Sequence, residues 1–520
     1  MTRSGKVIVY LGIFALGITL FSVIPRLFLD VYMSPDETAV AVSAKTLAGQ
    51  GTMKIKDRLL DLCPWVHPRS FVSQGGYMVP VGFLGLPLIM AFVFLLLGQF
   101  GMLWFTPLLA LSATIPLWCA TKKLGQAAQV SAILAWLTFP TVILYANRGL
   151  FPNLVAVSLM VWATFLIWFA SDEERQIAEW LRVVCIGLSG VAVGTACAIR
   201  PVEAVWILVW LCAVLIIRQR AIKKIDKKLL KSCVFILAVS VLPMISAWMA
   251  YKTYGSFWSI GYNLRDTVLA PQPSNAAEVS QNLLPFGLHP RAVLANFRAY
   301  LLGMYWPWLV ATVLTLFVGR RDRTTQILGG AGIATASILT LLYGQALYQD
   351  HVGVNIASIG NSFLRYFLPL TPLFALSVAA TISAIQKKLG RISGLLVIIP
   401  SLVGLSIYGT YLGLYQDGEG VVISSRELLR YADIRSSAQA VGGDYVAVLS
   451  ERSDKIFFPQ FSAASPLPDD DRIKELVAQE RVMIFLTTQD EVGLGKWLER
   501  GFSLTPLLSS DNQTLYEIRL

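Results

Sequence analysis

The sequence predicts an α-helical, polytopic membrane protein of about 11–13 transmembrane helices, with a small C-terminal α/β domain. Three observations predict it. The chain is 55% hydrophobic and only 14% charged, with a mean hydropathy of +0.61, whereas soluble domains run nearer about a quarter charged. Apolar runs long enough to cross ~30 Å of hydrocarbon recur from residue 7 to residue 413. From Gln416 onward those runs stop, and helical and strand patterns alternate.

The apolar runs cover approximately 7–29, 80–98, 101–121, 127–146, 152–170, 183–199, 202–217, 232–250, 300–318, 327–347, 364–385 and 394–413. The first, Val7 to Leu29, follows Arg3 and Lys6. It is too long for a signal-peptide core and no small-residue cleavage site follows it, so it reads as a retained span.

Charge orients the spans. The net charge is +11, but from Gln416 onward there are 17 acidic and 11 basic residues, or −6. The remainder holds 32 basic and 15 acidic residues, or +17. The basic residues gather in short loops, chiefly Arg218 to Lys231, Gly319 to Arg323 and Gln386 to Arg391. Such loops face the cytoplasm. This distribution along membrane edges, not on one groove, excludes a nucleic-acid partner. It puts the N-terminus in the cytoplasm and the acidic tail outside. Opposite sides for the two ends require an odd number of spans, and twelve runs are even. One early run is therefore not a separate span. The run 80–98, with Pro80, Gly82, Gly85 and Pro87, is the first suspect, as a re-entrant or surface-lying piece.

Two domains follow. Residues 1–415 form the membrane module, with long external loops at 30–78 and 251–297 and a shorter one from Tyr343 to Ser362. Loops of that length in a compact bundle are usually functional. Residues 416–520 form the external α/β domain. Ser424–Ala440 reads as an amphipathic helix, Tyr445–Ser450 and Val482–Thr488 as strands, and Asp469–Glu480 and Glu491–Gly501 as helices. This alternation implies a parallel sheet. VGLGKW, Val492 to Trp497, lacks the spacing and the hydroxyl of a phosphate loop. Six cysteines show no zinc-type spacing, and the tail holds none, so no disulfide framework is expected. His67, His289 and His351 are too scattered for a metal cage. Trp104, Trp118, Trp258, Tyr262 and Trp306 to Leu309 fit interfacial aromatic belts.

The stretch SPDETAVAVSAKTLAGQG, Ser34 to Gly51, carries the leading chemical candidates. Asp36 and Glu37 follow directly on the exit of the first span. They read as a helix start, with Asp36 as cap and Glu37 favoured by the helix dipole, or as catalytic carboxylates. The two readings are compatible, since a cap would fix a carboxylate. Four external arginines accompany them. Arg69 lies in HPRSF, Arg148 in an Asn-Arg-Gly turn, Arg200 in an Ile-Arg-Pro turn, and Arg365 before Tyr366 at the head of a late span. Each would otherwise snorkel to lipid headgroups. His67, beside Arg69, is expected on the polar surface.

This arrangement resembles the GT-C glycosyltransferases, especially the protein O-mannosyltransferase and lipid A aminoarabinose transferase branch (glycosyltransferase families 39 and 83). Asp36 and Glu37 match that branch's external Asp-Glu motif. Lys122 to Asn153, AIRPVEA (Ala198 to Ala204) and NSFLRYFLPLTPLFALS (Asn361 to Ser377) resemble later features in the same order. Asn153 stands where many relatives carry an acid. The resemblance covers about the first 415 residues by layout and implies an inverting glycosyltransferase with a polyprenyl-phosphate sugar as donor. The acceptor would be an extracytoplasmic lipid, glycan or protein, and membrane lipids would be further partners. Asp36 would be the general base, with Glu37 in the same catalytic motif. The departing lipid phosphate needs positive charge, not a protonating acid. Arg69, Arg148, Arg200, Arg365 and Tyr366 would supply the donor-phosphate site. No cofactor is expected in this branch, and the Asp-Glu pair by itself leaves a divalent ion open. The protein would lie in the plasma (inner) membrane. The alternatives are a transporter or flippase, or a non-catalytic assembly protein whose tail recruits partners. Transporters place ionisable groups near the bilayer midplane; here they lie in loops and at span ends.

Overall fold

The computed structural model describes residues 3–24, 30–172, 177–218, 226–259, 261–262, 264, 286–318, 322–348, 357–416, 418–441, 445–465, 467–487, 495, 497–510 and 513–520. Residues 265–285 of the 251–297 loop, the centre of the basic stretch Arg218 to Lys231, Gly319 to Arg321, His351, and residues 491–494 and 496 of the helix expected over Glu491–Gly501 lie outside them. The chain is a multi-pass integral membrane protein. Seven helices are long and apolar enough to cross a membrane; two bent pairs and two shorter apolar helices, Tyr10–Phe21 and Pro201–Ile217, join them. Together they make eleven apolar segments among the described residues.

At the front of the chain, runs 80–98 and 101–121 lie on one apolar stretch, Gly85–Ala120. Pro80 and Gly82 precede the helix, and Pro87 lies in its first turn, where a missing N–H costs nothing. Gly98 takes φ 62°, ψ −157°, and two helices meet there at a kink. Phe92, Leu95, Leu96 and Leu97 are exposed, as lipid-facing side chains would be.

The chain divides into two compact units. The first comprises residues 1–24, 104–245 and 273–423. Helix Pro152–Ala170 packs on Glu179–Ile199. A row of small residues on the latter lets helix Asp226–Tyr254 approach. A Cβ on Gly190 would meet the Phe235 carbonyl oxygen at 2.7 Å, and one on Gly194 the Val239 carbonyl oxygen at 2.1 Å. Such contacts replace the hydrophobic effect as the force between helices in lipid. Helices Gln126–Leu137 and Pro140–Asn147 meet at 53°, with Pro140 opening the second. Asn147 closes that helix. Its side chain accepts from the amides of Val23 and Ile24 and donates to the Leu20 and Ile143 carbonyls.

The second unit comprises residues 25–103, 246–272 and 424–520. In the first loop, helix Pro35–Gln50 leads to three short antiparallel strands. These are β1 (Ile55–Lys56), β2 (Phe71–Gln74) and β3 (Tyr77–Pro80), in the order β1-β3-β2. Gly75 and Gly76, at φ 57° and 76°, make the two-residue turn between β2 and β3, a turn that needs positive φ at both positions. The tail carries β4 (Ala447–Leu449), β5 (Ser462–Ala464), β6 (Val482–Thr487), β7 (Ser503–Ser510) and β8 (Gln513–Arg519), in the order β5-β4-β6-β8-β7. β4 runs parallel to β5 and β6, but β8 is antiparallel to both β6 and β7. The sheet is therefore mixed, not parallel as the alternation implied. β7 holds Pro506 beside a bulge, which is tolerated because β7 is an edge strand. Leu59, Cys63 and Val66 of the first loop share one core with Ala447, Leu449, Ile473, Trp497 and Ile518 of the tail.

Candidate functional site

In the second unit, helix Pro35–Gln50 begins with a side-chain cap. Ser34 is the N-cap; its Oγ accepts from the Glu37 amide at 3.2 Å and donates to Glu37 Oε2 at 3.2 Å. Capping thus falls to Ser34, not Asp36. Glu37 is buried, 3% exposed, and turned back onto the cap. Asp36 is exposed, and its Oδ1 accepts from Ser70 Oγ at 2.8 Å. Arg69 precedes that serine. Its backbone N–H and Nε donate to the two carboxylate oxygens of Asp454, at 2.9 and 2.8 Å. His67, expected on the surface, is 8% exposed; its carbonyl accepts from the Ser465 amide, because the loop folds onto the tail.

In the first unit, three of the predicted arginines come together. The Arg148 guanidinium lies over the Phe151 ring, 4.6 Å from its centre, and that of Arg365 lies over the same ring at 5.0 Å. Arg365 also lies over Tyr366 at 5.2 Å and donates to Ser362 Oγ at 3.0 Å. Arg200 lies over Tyr366 at 5.0 Å. One chain of contacts thus runs Arg148, Phe151, Arg365, Tyr366, Arg200. Arg200 is further held by Glu203, 2.7 Å from its Nε, and donates to the Tyr343 hydroxyl at 3.2 Å. Trp206 Nε1 donates to the other Glu203 oxygen. Local geometry explains the placement. Arg200 occupies an extended residue between helix Glu179–Ile199 and the turn Pro201–Glu203. Arg148 closes helix Pro140–Asn147, and Arg365 lies in the short helix Ser362–Tyr366.

Three guanidiniums with aromatic faces against them suit an oxyanion such as phosphate. Stacking occupies the face of a guanidinium and leaves its N–H donors in the perpendicular plane. The sequence reading missed Ser70, Glu203, Tyr343 and Asp454. Glu203 sits inside the AIRPVEA stretch, where an acid three residues after an arginine is a visible signal. Tyr343 and Asp454 carry none. Among the described residues no three His, Cys, Asp or Glu side chains group as a metal site would. Asn153, 3% exposed, lies in the first turn of helix Pro152–Ala170.

No family model and no curated protein matches the sequence. Solved structures match the fold, among them two of one protein. ArnT from Cupriavidus metallidurans bound to undecaprenyl phosphate is 13% identical, with a TM-score of 0.60 over 99% of this chain and 98% of that one. The apo form of the same protein gives 13% identity and a TM-score of 0.57 over the same shares. The fold is therefore that of ArnT, the GT-C architecture with a small C-terminal sheet domain, as the resemblance implied.

Proposed function

We propose that the chain is an inverting glycosyltransferase that moves a sugar from a polyprenyl-phosphate donor to an extracytoplasmic acceptor. The observation that carries this reading is the exposed Asp36 carboxylate, held by the Ser70 hydroxyl at a capped helix start, in a chain with the fold of ArnT. The acceptor hydroxyl or amine attacks the anomeric carbon and the bond from that carbon to the phosphate oxygen breaks. Asp36 takes the acceptor's proton. Polyprenyl phosphate leaves with the bonding electrons. Arg148, Arg200 and Arg365, with Tyr366 beneath two of them, receive the phosphate charge. Glu37 holds the turn that presents Asp36. One attack with one base inverts the anomeric centre.

The basic loops support a cytoplasmic N-terminus and an extracytoplasmic tail, in the inner membrane. Transfer from a panel of labelled polyprenyl-phosphate sugars, by wild type and Asp36→Asn in proteoliposomes, tests the reaction. The expected result is transfer by wild type that collapses in the variant. Equal transfer by both removes Asp36 from the mechanism.

A further inference from the structure

We infer that Asp454, far along in the tail, is a positioning residue for the Asp36 carboxylate, acting through Arg69 and Ser70. The inference rests on Asp36 being the base proposed above.

Asp454 is fully buried and Arg69 is mostly so, with side-chain exposures of 0% and 23%. Arg69 grips Asp454 through both its backbone amide and its Nε. Its Nη2 donates to the Arg452 carbonyl. Removing one member of such a buried pair is strongly destabilising, so the pair holds the main chain at Arg69 firmly. The next residue is Ser70. It is 8% exposed, its carbonyl accepts from the Val81 amide at 2.9 Å, and its hydroxyl reaches Asp36. A second tie comes from the same short helix, Asp454–Phe457. Lys455 Nζ donates to the Met33 carbonyl at 2.6 Å, one residue before the Ser34 cap. Two adjacent tail residues therefore secure both the hydroxyl that holds Asp36 and the chain leading into its helix. On this assignment Arg69 is a strut, with its donors turned to the tail rather than to the donor phosphate.

Geometry of this kind governs rate more than affinity. A base displaced by ~1 Å loses on the order of a hundredfold in rate. The test uses the full chain in proteoliposomes, with kcat and donor KM measured for Ser70→Ala, Ser70→Thr, Asp454→Asn and the Ser70→Ala/Asp454→Asn double variant. Ser70→Ala leaves the buried pair intact, so it keeps the test decisive where Asp454→Asn fails to insert. Each single loss should lower kcat by about tenfold or more with donor KM within about twofold. Ser70→Thr should restore the rate. The double variant should lose no more than the worse single, because both act on one carboxylate. If Asp36→Asn collapses transfer but Ser70→Ala is as fast as wild type, or if the two losses multiply, the strut is overturned and the base stands. If Asp36→Asn transfers as wild type does, or wild type transfers from no donor in the panel, the proposed function falls and the strut's catalytic role with it.

Discussion

The rings of Tyr343 and Tyr366 stack with centres 4.1 Å apart and planes 15° from parallel, and the Arg200 guanidinium lies over both. Arg200 and Glu203 are both nearly fully buried. In a low-dielectric setting the pair is worth little beyond its own desolvation cost, but breaking it leaves an uncompensated charge. Glu203→Ala should therefore lower unfolding stability by on the order of 3–5 kcal/mol. Tyr343→Phe, which removes one hydroxyl and keeps the stack, should cost about 1 kcal/mol. Thermal unfolding in detergent reads both. A Glu203→Ala melting point equal to wild type would show that the glutamate does not anchor Arg200.

Phe151 lies under both Arg148 and Arg365, so the two cations share one support. Under the proposed function they bind the donor phosphate in the ground state as well as the leaving phosphate. A hydrogen bond to a charged group is worth about 1.5–3 kcal/mol. Arg148→Ala and Arg365→Ala should each weaken polyprenyl-phosphate binding by about 10- to 100-fold. Lysine at either place should recover only part, since it lacks the planar face. Titration of polyprenyl phosphate into the purified protein measures this. Unchanged affinity in both alanine variants would remove them from the donor site.

What the sequence made legible follows from the range of the forces involved. Span identity is a local property of about 20 residues, so all the apolar runs were visible. That 80–98 and 101–121 lie on one apolar stretch was not, because Gly98 interrupts the helix between them while the apolar character continues. The mixed sheet was hidden because Pro506 argues against a strand unless the strand is known to be an edge. Arg148, Arg200 and Arg365 were legible as span-end cations. Their gathering was not, since Phe151, Tyr343 and Tyr366 meet them only through tertiary packing. Arg69 looked equivalent to them in sequence. Its partner, Asp454, lies 385 residues away, beyond the reach of any local pattern.

The tail offers a pH-dependent prediction. Arg519, then Arg481, donate to the Glu517 carboxylate at 2.8 and 3.1 Å. The hydrogen bond from Arg519 is the main reason that the carboxyl is held below its ordinary value, with Arg481 adding to it. A depressed folded pKa means that the contribution is present above the unfolded carboxylate range, about pH 4.3, and is lost as pH falls through the folded value. Glu517→Gln should therefore melt below wild type at pH 7, and the gap should close as pH drops below about 4. Melting curves of both proteins across that range check it. A gap that stays constant with pH would assign the effect to packing instead.

The glycines of helix Glu179–Ile199 separate close packing from mere composition. Gly187, Gly190 and Gly194 lie on one face, but the space at each differs. At Gly187 an added Cβ would first meet Val234 Cγ1 at 3.4 Å, ordinary contact. At Gly194 it would fall 2.1 Å from the Val239 carbonyl oxygen, which belongs to backbone and cannot rotate away. Gly187→Ala should leave stability near wild type, because the helix gains propensity and the neighbour is a side chain. Gly194→Ala should force the two helices apart, at a cost of about 1–3 kcal/mol or more. Thermal unfolding and the monodisperse fraction after detergent extraction report the difference. If the two variants behave alike, the close approach of helix Asp226–Tyr254 at Gly194 is not what holds this pair together.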